Sequence, residues 1–100
     1  MSPKILQINY KLKGLRTDYE QENLPYAQPI ANIPGLRWKV WIINEAQGEA
    51  GGVYLFDNDD AVQAFIDGPI IAEMKDDPTL SIKPFDVIAE LTTITRGPVN

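Results

Sequence analysis

The side chains best suited to chemistry are an amide, a lysine and a carboxylate, accompanied by two aromatic rings. Asn9 can hydrogen-bond a ligand oxygen, and Lys39 can stabilise a developing anion. Asp86 stands in an otherwise apolar segment, where burial would favour its protonated form and make it a proton acceptor. Trp38 and Tyr54 can stack on a flat aromatic ligand. Structural roles are also open, because Asp86 can pair with a cation across a sheet and Tyr54 can anchor a hairpin.

Two of these polar residues have neighbours with the same chemistry. Gln7 can form the same hydrogen bonds as Asn9, and Arg37 can stabilise the same charge as Lys39. Lys39 on a mixed face can also lie in solvent or at the rim of a dimer, with its aliphatic stem on apolar surface. Trp38 can simply fill the core, since large aromatic residues dominate core burial. Side-chain type alone therefore leaves several assignments open.

Composition excludes several classes of protein. The chain has 100 residues with 44% hydrophobic content, which suits one globular domain spanning residues 1–100. It contains no histidine and no cysteine, so the commonest general base, the Cys nucleophile and most transition-metal ligands are absent. The net charge of −5 disfavours nucleic acid as a partner. The chain shows no signal-peptide pattern and no apolar run of membrane-spanning length, so we expect a cytoplasmic protein that does not bind membranes.

The first elements that must position these side chains are a strand and a helix. Residues 4–12 alternate apolar and mixed positions with the period of a strand. Thr17 begins a capping-box sequence, which predicts that a helix starts there with Thr17 as its N-cap. Pro25 and Pro29 each lack an amide donor, so we expect this helix to be kinked or broken.

The middle of the chain predicts a hairpin followed by two short helices. Residues 36–45 and 49–56 are rich in β-branched and aromatic residues around a short turn. Gly51-Gly52 in the second run indicates a bulge or a close backbone approach. The acidic residues at 57–60 precede an apolar periodic segment and predict a helix N-terminus. Pro69 is well placed to begin the second helix.

The last part of the chain predicts one more strand. Residues 80–94 alternate again, and the tail 96–100 is expected to be flexible. The resulting order is strand, helix, strand, strand, helix, strand. This order is typical of the α+β ferredoxin-like βαββαβ fold, with a four-stranded antiparallel sheet and helices on one face.

A sheet covered on one face leaves its other face exposed. Strict alternation in the second strand puts Trp38 in an apolar row under the helices and Trp41 in a mixed row with Lys39. The predicted uncovered patch comprises Trp41, Ile43, Ile5, Ile82 and Ile88. An apolar patch of this kind marks an interface, so we expect a homodimer whose sheets face each other.

Several segments together resemble the YdhR-like putative mono-oxygenase family. They are PGLRWKVW at 34–41, EAGGVYLF at 49–56, AVQAFI at 61–66 and KPFDV with LT after it at 83–92. The resemblance covers essentially the whole chain. It implies a dimeric α+β barrel, the superfamily that also holds antibiotic-biosynthesis monooxygenases, and an oxygenase activity on aromatic compounds.

The resemblance also implies how such an oxygenase would work here. Without histidine for haem or non-haem iron, and without a dinucleotide fingerprint, the implied enzyme is a monooxygenase that uses no cofactor and no metal. Its substrate would be a small aromatic or polycyclic phenol, which supplies the electrons for oxygen. Asp86 and Asn9 are the expected catalytic residues, and the expected substrate-binding residues are Trp38, Tyr54, Lys39 and Tyr10. A dimeric barrel that binds a ligand or serves in stress without turnover is the alternative.

The predicted site residues do not share one face. Related enzymes imply a substrate between helices and sheet, where strict alternation puts Tyr10 and Trp38. The same alternation puts Asn9, Lys39 and Asp86 on the opposite face. Both sets can line one pocket only if a bulge or a register shift interrupts the alternation.

Overall fold

The computed structural model describes residues 2–100 of the chain. Along these residues the elements are β1 (Lys4–Lys11), α1 (Arg16–Ala31), β2 (Leu36–Asn44), β3 (Glu49–Phe56), α2 (Asp59–Ile66), α3 (Pro69–Met74), β4 (Ser81–Asp86) and α4 (Ala89–Ile94). The strands form one antiparallel sheet in the order β2-β3-β1-β4. This arrangement confirms the predicted ferredoxin-like α+β fold, with α4 added after the last strand. None of the helices described is both long and apolar enough to cross a membrane.

The core lies between the sheet and α1, α2 and α3. We call the sheet face that carries Leu6, Ile8, Tyr54 and Phe56 the core side, and the opposite face the outer side. The helices contribute the remaining buried members of this cluster, which are Ile30, Val62, Phe65 and Ile71. The ring of Phe65 packs against Tyr54 and Phe56, with ring centroids 5.2 and 5.6 Å apart. Burying a side chain of this size contributes about 1.5–3 kcal/mol, so the alternation of β1 and β3 is sufficient to fix which face meets the helices.

Helix α1 differs from the prediction at its start and in its continuity. It begins at Arg16, its N-cap is Leu15, and no side chain caps it, so Thr17 lies inside the first turn. The first helical bond runs from the Tyr19 amide to the Leu15 carbonyl at 3.0 Å. The helix is continuous through Pro25 and Pro29. Its surface is largely exposed, so water can satisfy the carbonyls that the prolines leave without a donor.

The short helices agree with the predictions. The Asn58 side chain accepts a hydrogen bond from the Ala61 amide at 2.9 Å and caps α2, and Asp59 and Asp60 lie in its first turn. Pro69 is in the first turn of α3. Carboxylates near a helix N-terminus and a proline at its first position are both favoured by the unpaired amides there.

A bulge in β2 reverses the predicted faces of that strand. Leu36 pairs with Phe56, but the next pair joins Trp38 to Leu55, so Arg37 is an extra residue without a partner in β3. After the bulge, Lys39 is opposite Tyr54 and therefore lies on the core side with Trp41, whereas Trp38 lies on the outer side. The predicted positions of Trp38, Trp41 and Lys39 were therefore wrong.

The extra residue of the bulge is held by contacts outside the sheet. The Arg37 guanidinium donates to Asp57 Oδ1 at 2.6 Å and to the Val99 carbonyl at 2.8 Å. The predicted patch changes as well. Trp41 and Ile43 follow the bulge to the core side, and Ile82 lies there because it pairs with Ile8 of β1, whereas Ile5 remains on the outer side.

The C-terminal segment also differs from the prediction. β4 ends at Asp86, which pairs with Lys4, the first residue of β1, so a longer strand would have no partner to bond. The chain forms α4 instead. The tail, expected to be flexible, packs on the outer side: the Trp38 Nε1 donates to the Pro98 carbonyl at 2.8 Å, and Val99 is buried.

Candidate active site

A cavity of about 190 Å³ lies between the core side of the sheet and helices α1 and α3. Its polar and aromatic lining consists of Tyr10, Asn23, Tyr26, Lys39, Trp41 and Tyr54, and its aliphatic lining of Ile30, Ile70 and Met74. An apolar, aromatic cavity with a few polar groups is the usual form of a small-molecule site. We take this cavity as the candidate active site.

The bulge and a glycine together bring the lysine into the cavity. The bulge turns Lys39 and Trp41 towards the helices, where Lys39 is beside Tyr54 of β3. Gly52 leaves the space that the lysine stem uses, since a Cβ at Gly52 would lie 2.5 Å from Lys39 Cε and 3.4 Å from its Nζ. The Gly51-Gly52 pair was predicted to mark a bulge or a close approach. A close approach is what both glycines make, because a Cβ at Gly51 would lie 1.9 Å from the Ile8 carbonyl oxygen.

The Lys39 ammonium contacts two aromatic rings. Its Nζ lies 3.3 Å from the centroid of the Trp41 ring and 4.5 Å from that of Tyr54. These π faces favour the charged form by about 0.5–2 kcal/mol. Burial opposes them more strongly and lowers the pKa of Lys39 to about 7. The side chain is therefore divided between its charged and neutral forms near neutral pH.

Lys39 has no anionic partner in the part of the chain that the structure describes. The ion pairs of residues 2–100 are made by Lys4, Arg16 and Arg37. The described lining of the cavity includes no carboxylate. A neutral Lys39 amine can thus accept a proton from a ligand, and its charged form can hold the resulting anion.

The tyrosines of the cavity are proton donors. The hydroxyls of Tyr10 and Tyr19 are hydrogen-bonded to each other. Burial raises the pKa of Tyr10, and its bond to Tyr19 raises it further. Burial also raises the pKa of Tyr54. Both phenols stay protonated at neutral pH, so they can donate hydrogen bonds to a ligand oxygen but do not act as bases.

The predicted site residues fall into separate places. Tyr10, Lys39 and Tyr54 all line the cavity. For Tyr10 this agrees with the expected position between helices and sheet. Trp38 lines a groove of about 470 Å³ on the outer side of the sheet, beside α4 and the tail. Asp86 also borders this groove, but its pairing with Lys4 places it on the core side at the end of β4, so its predicted face was wrong. Their proposed roles stay predictions, but they lie away from the cavity.

Asn9 and Asp86 are engaged with protein groups on the surface. Asn9 lies on the outer side, where it accepts a hydrogen bond from Gln7 at 3.1 Å and donates to Glu49 at 3.2 Å. Asp86 is largely exposed and is bonded to the Lys4 ammonium. The alternatives that the sequence left open fit these contacts: Asp86 pairs with a cation across the sheet. Within residues 2–100 no cluster of acidic side chains is arranged to hold a metal ion.

Several cavity residues were missed by the sequence analysis. Trp41 was assigned to the dimer face because the bulge was not foreseen. Asn23, Tyr26 and Met74 lie on α1 and α3, whose rotations about their own axes follow from tertiary packing. One signal was available, since a lysine in an apolar strand needs space in the partner strand, and Gly52 provides it.

Comparisons with known proteins agree with this fold. A mutant of SnoaB, a cofactor-independent oxygenase from Streptomyces nogalater, has a TM-score of 0.68 at 12% identity, over 88% of this chain and 95% of that one. A protein of unknown function from Nitrosomonas europaea has a TM-score of 0.67 at 18% identity, over 88% and 91%. The heme-degrading protein of Mycobacterium tuberculosis has a TM-score of 0.64 at 22% identity, over 88% and 94%.

These likenesses in structure show the fold. A comparison with curated protein sequences finds no match. The family evidence comes from a sequence model described as "Putative mono-oxygenase ydhR", which matches residues 5–98. That range includes every strand but the first residue of β1, all the helices and the whole cavity lining, and the chain therefore belongs to the ydhR mono-oxygenase family.

Proposed function

We propose that the protein is a cofactor-independent monooxygenase that oxidises a small phenol with molecular oxygen in the cavity beside Lys39. The observation that carries the proposal is a lysine with a pKa lowered to about 7, set among aromatic rings in a cavity between helices and sheet. Membership of the ydhR family supports an oxygenase. The SnoaB neighbour, described as cofactor-independent, supports the same chemistry by analogy of fold.

The cavity supplies the steps that such a reaction needs from a protein. The phenol ring packs against Trp41 and Tyr54, and neutral Lys39 takes the phenolic proton. The ammonium that forms then holds the phenolate, which is electron-rich enough to reduce oxygen. One oxygen atom replaces a ring hydrogen and becomes a carbonyl, and the other leaves as water. The balance is phenol plus O₂ to quinone plus water, so the substrate supplies all four electrons.

The size of the cavity favours a substrate with one ring. Sites for drug-sized ligands usually enclose about 300–1,000 Å³. The cavity encloses about 190 Å³, which is below that range. Of the two classes that the resemblance implied, a small single-ring phenol or hydroquinone is therefore the better fit than a polycyclic one.

Heme is not part of the proposal, although the Mycobacterium tuberculosis neighbour is a heme-degrading protein. This sequence has neither the histidine nor the cysteine that most often holds heme iron. The cavity of about 190 Å³ is also small for so large a ring system.

A homodimer with its sheets face to face is part of the proposal. The outer side and α4 carry exposed apolar side chains that no described element covers. These are Val40, Phe85, Ile88, Leu91 and Ile94, with exposed fractions between 46% and 74%. Exposed apolar side chains on one side of the molecule support an interface between copies.

Ligand binding without turnover is the second candidate function. The lining observed is sufficient for binding a flat ring, whether or not oxygen reacts there. Trp41 lines the cavity and Trp38 does not, so a Trp38→Phe protein reports on the cavity through one fluorophore. Quenching of that protein by a phenol, with no oxygen uptake, is the result expected of a binder.

Oxygen uptake by the metal-free protein tests the proposal. A panel of single-ring and polycyclic phenols and hydroquinones is compared with the uncatalysed rate for each compound. We expect faster uptake with single-ring compounds, and a loss on the order of 10²-fold in Lys39→Met, because general base and anion stabilisation are both removed. The matched control is Lys13→Met, in an exposed loop. Uptake at the uncatalysed rate for every compound would refute the proposal for that panel.

A further inference from the structure

The Lys39 amine lies in an aromatic cavity, although lysine side chains are mostly exposed at protein surfaces. Its Nζ lies 3.3 Å from the centroid of the Trp41 ring and 4.5 Å from that of Tyr54, and it makes no ion pair within residues 2–100. It faces a cavity of about 190 Å³ whose other described lining is tyrosine, amide and aliphatic. Nothing in the cavity neutralises an ammonium, so the site favours the amine with a free electron pair.

We propose that Lys39 is also a nucleophile that captures single-ring aromatic aldehydes as an imine in this cavity. The activity is distinct from oxygenation, since it needs neither oxygen nor a phenolic hydroxyl. It takes a carbonyl compound in place of a phenol, and the two share the flat ring that the cavity walls fit. A desolvated lysine in an apolar pocket is the kind that forms imines in proteins.

The step balances without any oxidant or reductant. The Nζ electron pair attacks the aldehyde carbon and forms a C–N bond, while the carbonyl electron pair moves to oxygen and takes a proton. The nitrogen loses a proton to give the carbinolamine. Loss of water then leaves a C=N bond, so one amine and one aldehyde give one imine and one water. Burial lowers the pKa of Lys39 to about 7, which keeps the attacking amine populated at neutral pH.

Neighbouring hydroxyls can assist both halves of the step. Tyr54 is in contact with the lysine head and Tyr10 lines the same cavity. Burial raises the pKa of each phenol, so both remain protonated and can donate to the carbonyl oxygen and then to the leaving water. Gly52 keeps the lysine in this position, since a Cβ there would lie 2.5 Å from Cε.

Reductive trapping tests the proposal directly. The full-length protein is incubated at neutral pH with benzaldehyde and sodium cyanoborohydride, which converts an imine into a stable benzylamine. Intact mass and peptide mapping then locate the adduct. We expect an early adduct on Lys39, formed on the order of tenfold or more faster than on any other lysine, because burial in the cavity lowers the pKa of Lys39 and leaves its amine free to attack.

Two variants separate this site from general lysine labelling. Lys39→Met should lose the early adduct, whereas Lys13→Met should keep it at the same rate. Adducts spread evenly over the lysine side chains, or an adduct that forms earlier on another lysine than on Lys39, would overturn the proposal. Peptide mapping of the unmodified sequence decides the question even if Lys39→Met does not fold. The readout involves no oxygen uptake, so a protein that takes up oxygen without forming the adduct, or forms the adduct without taking up oxygen, separates the two proposals.

Discussion

At the scale of single residues, the core side of β2 carries Lys39, which has no anionic partner within residues 2–100, where strict alternation predicts Trp38. Lys39 is the group on which the proposed proton transfer and the proposed imine both depend. Its ammonium contacts the rings of Trp41 and Tyr54, and Gly52 leaves room for its stem. Asn9 and Asp86, the residues that the sequence favoured as catalytic, each bind a neighbouring side chain on the surface instead.

The buried lysine predicts a characteristic pH dependence of stability. In the folded protein its pKa is lowered to about 7 from 10.5, so between those values the unfolded chain binds a proton that the folded chain has released. The free energy of unfolding should therefore rise with pH across that window, and this contribution is lost as pH falls to about 7. Denaturant titrations at a series of pH values measure it.

The control for that measurement is the difference between wild type and Lys39→Met. Groups common to both proteins cancel in the difference, and the variant should lack the rise. The other titratable groups that line the cavity are Tyr10, Tyr26 and Tyr54. The raised pKa values of Tyr10 and Tyr54 act in the opposite sense above about pH 10, so the comparison should stop below it. Parallel profiles for the two proteins would show that Lys39 is not desolvated.

At the scale of elements, two glycines of the β2–β3 hairpin have different roles, one in the site and one in the turn. In Gly52→Ala the new Cβ meets only flexible or aromatic atoms, Lys39 Cε at 2.5 Å and Tyr54 Cε1 at 3.3 Å. We expect Lys39 to be displaced, with ligand affinity and oxygen uptake reduced. The stability should change by less than about 1 kcal/mol, because alanine suits a strand interior better than glycine.

The matched control is a glycine in the turn of the same hairpin. Gly48 has φ +65° and nothing within 4 Å of an added Cβ. Gly48→Ala should therefore cost about 1 kcal/mol of stability through backbone strain and leave the site intact. Denaturation midpoints and fluorescence titrations of the two variants should show this crossed pattern. A Gly52→Ala protein with unchanged ligand affinity would show that the glycine does not position Lys39.

The elements that the sequence predicted well are those set by local pattern. The alternation of β1, the apolar face of α2 and the turn before β3 each depend on residues within a few positions of one another. The bulge in β2 could not be predicted in this way, because the partners of Arg37 are 20 and 62 residues away. The end of β4 likewise depends on where β1 begins, not on the alternation that continues beyond Asp86. The bulge decides which β2 side chains enter the cavity, so the residues of the candidate site were predicted only in part.

At the scale of the whole molecule, the two sides of the sheet carry different features. The core side carries the cavity, and the outer side carries α4, the tail and an apolar surface. The tail is attached through hydrogen bonds from Trp38 and Arg37, and Val40 and Phe85 stay exposed beside it. The proposed homodimer would therefore bury the outer side and leave the cavity between the helices and the core side.

A charge on the outer side should dissociate that dimer. Phe85 of β4 is 46% exposed, and in a two-fold interface Phe85→Lys would add two charges to buried apolar surface. By light scattering we expect wild type at twice the 11.2 kDa of one chain, and Phe85→Lys at the mass of one chain. Leu24→Lys on α1, where Leu24 is 74% exposed, is the matched control and should stay dimeric. A wild-type mass equal to one chain at micromolar concentration would refute the proposed dimer. Equal dissociation of both variants would show that the outer side alone does not form the interface. Since the cavity lies on the core side, the Phe85→Lys protein should still bind a single-ring phenol, which Trp41 fluorescence would report.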